Sequence, residues 1–358
     1  MSAAPACMLL VPPAPLAPAM AANEERRKLP GGMESTRTSA EEGTISVITS
    51  EDECAAGGDD VGRFRLSSET RAVVRTLTCE RKPLGEGFAL WRSIGRPELQ
   101  DLDPFLSFDE FELSPPAGFP DHPHRGFETV TYMLEGGFSY HDFSGHKGTI
   151  NTGDVQWMTA GRGVVHAEMP GGQGVQRGIN LWINLSSKDK MVEPRYQELA
   201  SHDIPTADKD GVSVKVIAGE CLGARSPLRP RTPALCLDVT LRPGASLRQP
   251  VPRGWSACAY VIDGEAAFGS ATDSACSRTL VVFGGDGDCV DVRAGPVAAR
   301  VMLVAARPHG EAVVREGPFV MNTREEVEQA REDYRHRRNG FEMADGWISD
   351  HAATAAVH

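Results

Sequence analysis

The 358-residue chain carries eight cysteines with no Cys-x-x-Cys and no regular spacing (Cys7, Cys54, Cys79, Cys221, Cys236, Cys258, Cys276, Cys289). That scatter excludes a disulfide framework and points to reduced thiols inside a cell. Long apolar runs are also missing: none approaches the roughly 20 residues that span a bilayer, so no membrane association is expected. Basic charge is in deficit, with 37 Lys and Arg against 49 Asp and Glu and a formal net charge of −12. An extended phosphate-binding surface needs clustered Lys and Arg, so no direct nucleic-acid binding is expected.

Charge of either sign is absent from Met1 to Asn23, a stretch dominated by Ala and Pro. Glu24-Glu25-Arg26-Arg27-Lys28 follows, then Ser, Thr, Gly and acidic residues as far as Asp59-Asp60. Such a composition cannot bury enough apolar surface to offset chain entropy, so residues 1–65 are expected to be a disordered N-terminal tail. Met8-Leu9-Leu10-Val11 lacks a preceding basic region and is flanked by prolines, unlike a secretory signal. The lack of acidic residues before Glu24 suits an organelle transit peptide, but the lack of arginine there does not.

From Val73 onward, short runs rich in Val, Ile, Leu, Tyr and Trp alternate with Gly, Pro, Asn and Asp. The expected strands include Thr129–Leu134, Val155–Met158, Asn180–Leu185, Val212–Ile217, Ala234–Leu241, Ala257–Ile262, Leu280–Phe283 and Val297–Ala305. Many short strands with regular turn signals predict a mainly β protein of antiparallel barrels or sandwiches. One helix is expected at the end. Thr323 and Glu326 form a capping-box pattern, Val327, Ala330, Arg331 and Tyr334 follow at helical spacing, and Gly340 lies beyond the basic Arg335–Arg338 turn.

The barrel repeats. His122-Pro123-His124-Arg125-Gly126-Phe127 aligns with Pro250-Val251-Pro252-Arg253-Gly254-Trp255, and Tyr132-Met133-Leu134-Glu135-Gly136 then falls on Tyr260-Val261-Ile262-Asp263-Gly264. The second copy has Pro250, Pro252 and Ser256 where the first has His122, His124 and Glu128, and no histidine occurs between His202 and His309. Only the first copy carries the polar residues of a site.

Those residues come in pairs. In a strand, side chains at i and i+2 share a face, so His122 and His124 point one way, as do His166 and Glu168. Continuing the phase by twos through Gly126, Glu128, Val130, Tyr132 and Leu134 places these residues on the histidines' face, with Thr129 and Thr131 opposite. Two such strands facing each other bring four potential metal ligands together. Three imidazoles and a carboxylate without a thiolate suit Fe, Mn, Ni or Cu, or Zn in a catalytic setting. Either Glu128 or Glu168 completes the set, the other orienting an imidazole from outside it. Asp121 falls on the opposite phase, as a turn or surface residue, and His141 and His146 lack a paired partner and read as loop histidines. Val130, Tyr132, Leu134 and Met158 are either barrel core or an apolar lining for a flat ligand.

His-x-His followed by Glu128 and Gly136, then Gly153-Asp154, Thr159-Ala160-Gly161 and His166, is similar to the two cupin motifs. Arg92–Leu99, Asp103–Leu106, Phe119–Glu128, Gln156–Gly163, His166–Pro170, Met191–Leu199 and Gly317–Thr323 resemble the pirin family more specifically, over Val73 to Trp347. The resemblance implies a bicupin: a metal-binding barrel at 66–195, a metal-free barrel at 196–322, and a helix and tail at 323–350. It implies one Fe(II) per chain, rather than Mn, Ni, Cu or Zn, held by His122, His124, His166 and Glu168, with Glu128 outside the ligand set. It also implies either flavonol 2,4-dioxygenase activity on quercetin and O₂, Glu168 then being the candidate base, or an iron-dependent nuclear co-regulator. The protein partners of the second reading are transcription factors or G-protein signalling proteins. A monomer located in the nucleus, the cytoplasm or both is expected on the same ground. One departure touches the partner reading: Leu90-Trp91 precede a lone Arg92 where pirins tend to carry consecutive basic residues.

Overall fold

The computed structural model describes residues 69–350 apart from 271–273. The expected disordered tail at 1–65 and any leader within it lie outside the described residues. Strands dominate, and each expected run is realised, several with longer bounds: Phe127–Glu135, Val155–Thr159, Gln176–Asn184, Val212–Ala218, Ala234–Leu241, Ser256–Phe268, Thr279–Phe283 and Cys289–Ala306.

The first barrel opposes two sheets. Seven strands lie in the order Arg195–Leu199, Val155–Thr159, Phe127–Glu135, Gln176–Asn184, Phe105–Leu113, Phe88–Ile94, Lys82–Pro83. Four more make the other wall, in the order Phe119–His124, Val164–Pro170, Gly137–Asp142, Lys147–Asn151. The second barrel is a single nine-stranded sheet. Ser256–Phe268 and Cys289–Ala306 run through it, and the register shifts between Val261 and Asp263 and between Gly264 and Ala266. Irregularities of this kind bend a long strand and let a sheet close. Pairing crosses the expected boundaries: Val73–Thr78 joins Thr279–Phe283 in the second sheet, and Arg195–Leu199 pairs with Val155–Thr159 in the first.

The two interiors differ in chemistry. The second is a closed apolar core of Val, Leu, Ala and Phe, including Val239, Leu247, Val261, Phe268 and Val292. A third apolar cluster lies between the barrels and draws on both, including Val130, Tyr132, Trp157 and Leu181 from the first and Cys236, Tyr260, Met302 and Val304 from the second. It is stitched by a reciprocal pair of bonds. Tyr132 Oη donates to Asp238 Oδ2 at 2.7 Å, and Arg300 binds the same carboxylate at 3.0 and 2.8 Å. Tyr260 Oη donates to Glu110 Oε2 at 2.8 Å, and Arg177 binds that carboxylate at 2.7 Å. Tyr132 and Tyr260 are the equivalent tyrosines of the repeat, so each barrel offers a hydroxyl to a carboxylate of the other.

The helix forms where expected, as Arg324–Arg335 with both halves of the Thr323–Glu326 capping box in place. It buries Val327, Ala330 and Asp333. With Phe319, Met321 and Phe341 its apolar face covers Val165, on the outside of the four-stranded wall. The six described cysteines are all free, and five are buried.

Candidate metal centre

The His-x-His strand Phe119–His124 pairs antiparallel with Val164–Pro170, His122 opposite His166 and His124 opposite Val164. The register shifts between His166 and Glu168. The shared strand phase brings three imidazoles to one point: His122 Nε2 lies 2.9 Å from His124 Nε2 and 3.1 Å from His166 Nε2. His122 Nδ1 is 2.8 Å from the Pro120 carbonyl. A carbonyl only accepts, so this bond puts the His122 proton on Nδ1 and leaves its Nε2 a bare lone pair. Burial pushes the pKa of all three histidines below the usual imidazole range, most strongly for His124 and His166. Neutral imidazoles are the form that ligates a metal.

This triangle fits a cation. Two nitrogens each about 2.1 Å from a common ion are about 3.0 Å apart if they subtend a right angle and about 3.4 Å apart at a tetrahedral angle. The observed 2.9 and 3.1 Å suit nitrogens that share one ion. His124 Nδ1 and His166 Nδ1 are buried without a protein partner, so of the three rings only His122 is oriented from behind by a protein group. Glu168 stands beside the triangle, its Oε2 3.9 Å from His166 Nε2. Burial raises its carboxyl to about 8, so near neutral pH it keeps its proton until a cation arrives to displace it.

The phase expected to run on through Gly126 breaks there. Gly126 has φ +91°, and a Cβ at that position would stand 1.9 Å from the Val320 carbonyl oxygen. The chain turns, and the next strand presents its other face to the histidines. Val130, Tyr132 and Leu134 therefore face the second barrel rather than the metal. Thr129, Thr131 and Met133 take the inward face. Met158 pairs with Thr129 and packs among Ala160, Val164 and Tyr196. Glu128 also turns away. Its fully buried carboxylate accepts from Thr159 Oγ1 at 2.7 Å and from the Arg231 and Thr232 amides at 3.3 and 3.4 Å, so it seals the seam between barrels and orients no imidazole. Asp121 lies on the strand itself, where its Oδ2 accepts from the Ser349 amide at 3.2 Å. His141 is part of Gly137–Asp142, and the His146 ring packs on Tyr196 at 4.4 Å.

Several residues that serve this centre were not marked as site residues in the sequence. Trp182 meets the His124 ring edge-on at 5.4 Å and stacks on Phe127 at 4.4 Å. The signal was present, since Ile179, Leu181 and Ile183 form the apolar phase of that strand and leave Asn180 and Trp182 on the other. Arg125 anchors the turn after His124, donating to Asp333 Oδ2 at 2.9 Å and to the carbonyls of Arg162 and Asn339 at 2.6 Å each. Lys190 Nζ ties Gly126 O, Val320 O and Asn184 Oδ1 together at 3.0, 2.9 and 2.7 Å, and burial pulls its pKa down to about 8. These partners come from up to 214 residues away, a distance over which no local pattern reports.

Two β-barrels in tandem, one with an apolar interior and one carrying a convergent histidine triad, define a bicupin with its candidate metal centre in the first barrel. The family model described as Pirin matches residues 87–183, and that described as Pirin C-terminal cupin domain matches 236–340. The chain belongs to the pirin family. It is 56% identical over 286 residues to a pirin-like protein of Solanum lycopersicum, covering 79% of this chain and 98% of that one. To human pirin it is 50% identical over 291 residues, covering 79% and 99%. Among solved structures, a quercetin 2,3-dioxygenase from Acinetobacter baumannii superposes with a TM-score of 0.69 at 31% identity, covering 75% of this chain and 98% of the other.

Proposed function

We propose that His122, His124, His166 and Glu168 hold one ferrous ion and that the first barrel uses it to cleave flavonols such as quercetin with O₂. The observation that carries this reading is the convergence of three buried imidazoles beside Glu168, in a chain that superposes on a quercetin 2,3-dioxygenase at 31% identity. When bound, the ion would supply open coordination positions for a bidentate 3-hydroxy-4-carbonyl group or for O₂.

The chain's own groups do the rest. Burial keeps the three histidines neutral, so the rings themselves add no positive charge that would repel a cation. Glu168 Oε2 is the proton acceptor for the flavonol 3-hydroxyl. Returning a proton to Glu168 restores the form that its buried surroundings favour. Its place beside the triangle rather than within it lets it loosen from the ion during turnover. Phe111, Met133, Phe138 and Phe119 form an apolar cluster within the first barrel that excludes water from a flat aromatic ligand. This cluster replaces Val130, Tyr132 and Leu134 in that role.

Protein reconstituted anaerobically with one Fe(II) per chain is expected to consume O₂ and release carbon monoxide when given quercetin. His166→Ala should lower the rate by at least about a hundredfold through loss of the ion. Iron-loaded wild-type protein that turns over none of a panel of flavonols would overturn the proposal.

A further inference from the structure

The strand Val314–Glu316 follows the second barrel in sequence, yet it delivers Arg315 to the first. The Arg315 guanidinium lies over the Trp182 ring, 4.5 Å from its centroid, and the other side of that sandwich is Phe127. Trp182 in turn meets the His124 ring at 5.4 Å. Arg315 is solvent-exposed, yet protein surrounds it closely enough to push its pKa down to about 10.

Its charge is uncompensated. Among the described residues no carboxylate lies within ion-pair distance of it. The acid acting on it most strongly is Asp109, which Arg92 holds in a two-pronged pair at 2.9 and 2.7 Å and Ser107 Oγ contacts at 3.2 Å. The local sum is two guanidinium groups against one carboxylate. Arg315 Nη1 donates to the Leu106 carbonyl at 3.2 Å and Nε to that of Gly317 at 3.5 Å. Among the described residues Nη2 has no partner. A guanidinium seated over an aromatic ring, with donors to spare, is a receptor for an oxyanion.

We infer that Arg315, seated on Trp182, is a specificity-determining residue of the first barrel that recognises an oxyanion on a planar aromatic ligand bound at the histidine triad. The ligand's position rests on the function proposed above. The oxyanion receptor does not, since it is built from side chains that neither touch nor require the ion. The substrate class is thereby narrowed to aromatic acids and to flavonols ionised at a ring hydroxyl.

The test is calorimetric titration of the full-length chain, with and without Fe(II), using benzoate as the anionic probe and benzyl alcohol as its neutral counterpart. Wild type should bind benzoate more tightly than benzyl alcohol in both states. Arg315→Met should weaken benzoate binding about tenfold, as expected for loss of one charge-assisted contact, and leave benzyl alcohol unchanged. Arg315→Lys, which keeps the charge but loses the planar fork seated on Trp182, should recover only part of the benzoate affinity, binding it more tightly than Arg315→Met and more weakly than wild type. Unchanged benzoate affinity in Arg315→Met, or equal wild-type affinity for the two probes, would overturn the inference. A protein that shows the benzoate effect but no flavonol turnover would sink the dioxygenase proposal alone. Flavonol turnover without the benzoate effect would sink only the role of Arg315.

Discussion

At the residue scale, the histidines and Glu168 pull the stability of the metal-free protein in opposite directions with pH. The histidines are neutral when folded, with pKa values below the usual 6.5. Their contribution is present above the unfolded value and is lost as pH falls through it, because the unfolded chain gains protons that the folded one refuses. Glu168 is the reverse case. With a folded value near 8, its contribution is present below the unfolded value of about 4.5 and is lost as pH rises toward 8. Glu168→Gln should therefore raise the melting temperature of the metal-free protein at pH 8, by about 2–4 °C for each kcal/mol recovered, and change it little at pH 5. It should also weaken Fe(II) binding by at least about tenfold. Melting curves at the two pH values, with and without the ion, check both signs. A Gln variant that melts below wild type at pH 8 would contradict the buried, protonated carboxyl.

The convergence of the His122/His124 and His166/Glu168 pairs was legible because a strand writes its faces into the sequence with a period of two. Glu128 was not. The glycine that reverses the phase is visible at position 126, but what makes it a turn is the Val320 carbonyl pressed against it, a contact with a residue far along the chain.

At the element scale, the repeat carried more than a shared ancestry of barrels. Its Tyr-x-x-acid-Gly element marks the tyrosines that cross the seam, and the carboxylates they reach, Glu110 and Asp238, stand at the same spacing of 128 residues. Their pairing explains why Tyr132 is buried polar machinery of the interface and lines no substrate pocket. Tyr132→Phe and Tyr260→Phe each remove one hydroxyl donor from a carboxylate that keeps its arginine. Each should cost about 1–2 kcal/mol, measured by denaturant unfolding, with Fe(II) affinity unchanged. A variant of either tyrosine that lost metal binding while remaining folded would mean that the seam and the site are coupled. Gly126→Ala is the contrasting case. The positive φ and the 1.9 Å approach leave no room for a methyl group, so both stability and Fe(II) affinity should fall together. The strand positions, the capping box and the two kinds of barrel interior all followed from local pattern. The transfer of Val73–Thr78 to the second barrel did not, since strand exchange is decided by which sheet edge is open.

At the scale of the whole molecule, the C-terminal helix is a clamp on the His-x-His strand as well as a lid on the outside of the four-stranded wall. Asp333 is fully buried, accepting from Arg125, Gln329, Arg338 and Asn339, and Arg125 directly follows His124, a proposed ligand. Breaking one side of a buried ion pair costs about 3–5 kcal/mol because the other charge is stranded. Asp333→Ala should accordingly loosen the segment beyond residue 323, making it sensitive to limited proteolysis, and lower Fe(II) affinity without altering any ligand. Unchanged protease resistance would show that the apolar contacts of Val327, Ala330 and Phe341 hold the helix alone. The second barrel, with its filled interior and proline-for-histidine exchanges, supplies the seam against which the first is braced.

The most direct measurement is calorimetric titration of the full-length chain with Fe(II) under anaerobic conditions, alongside His122→Ala and His166→Ala. One equivalent bound per wild-type chain, with affinity reduced at least about a hundredfold in each variant, is the expected result. Two equivalents, or one equivalent bound undiminished by either variant, would place the ion elsewhere and contradict the assignment of the first barrel as the metal centre.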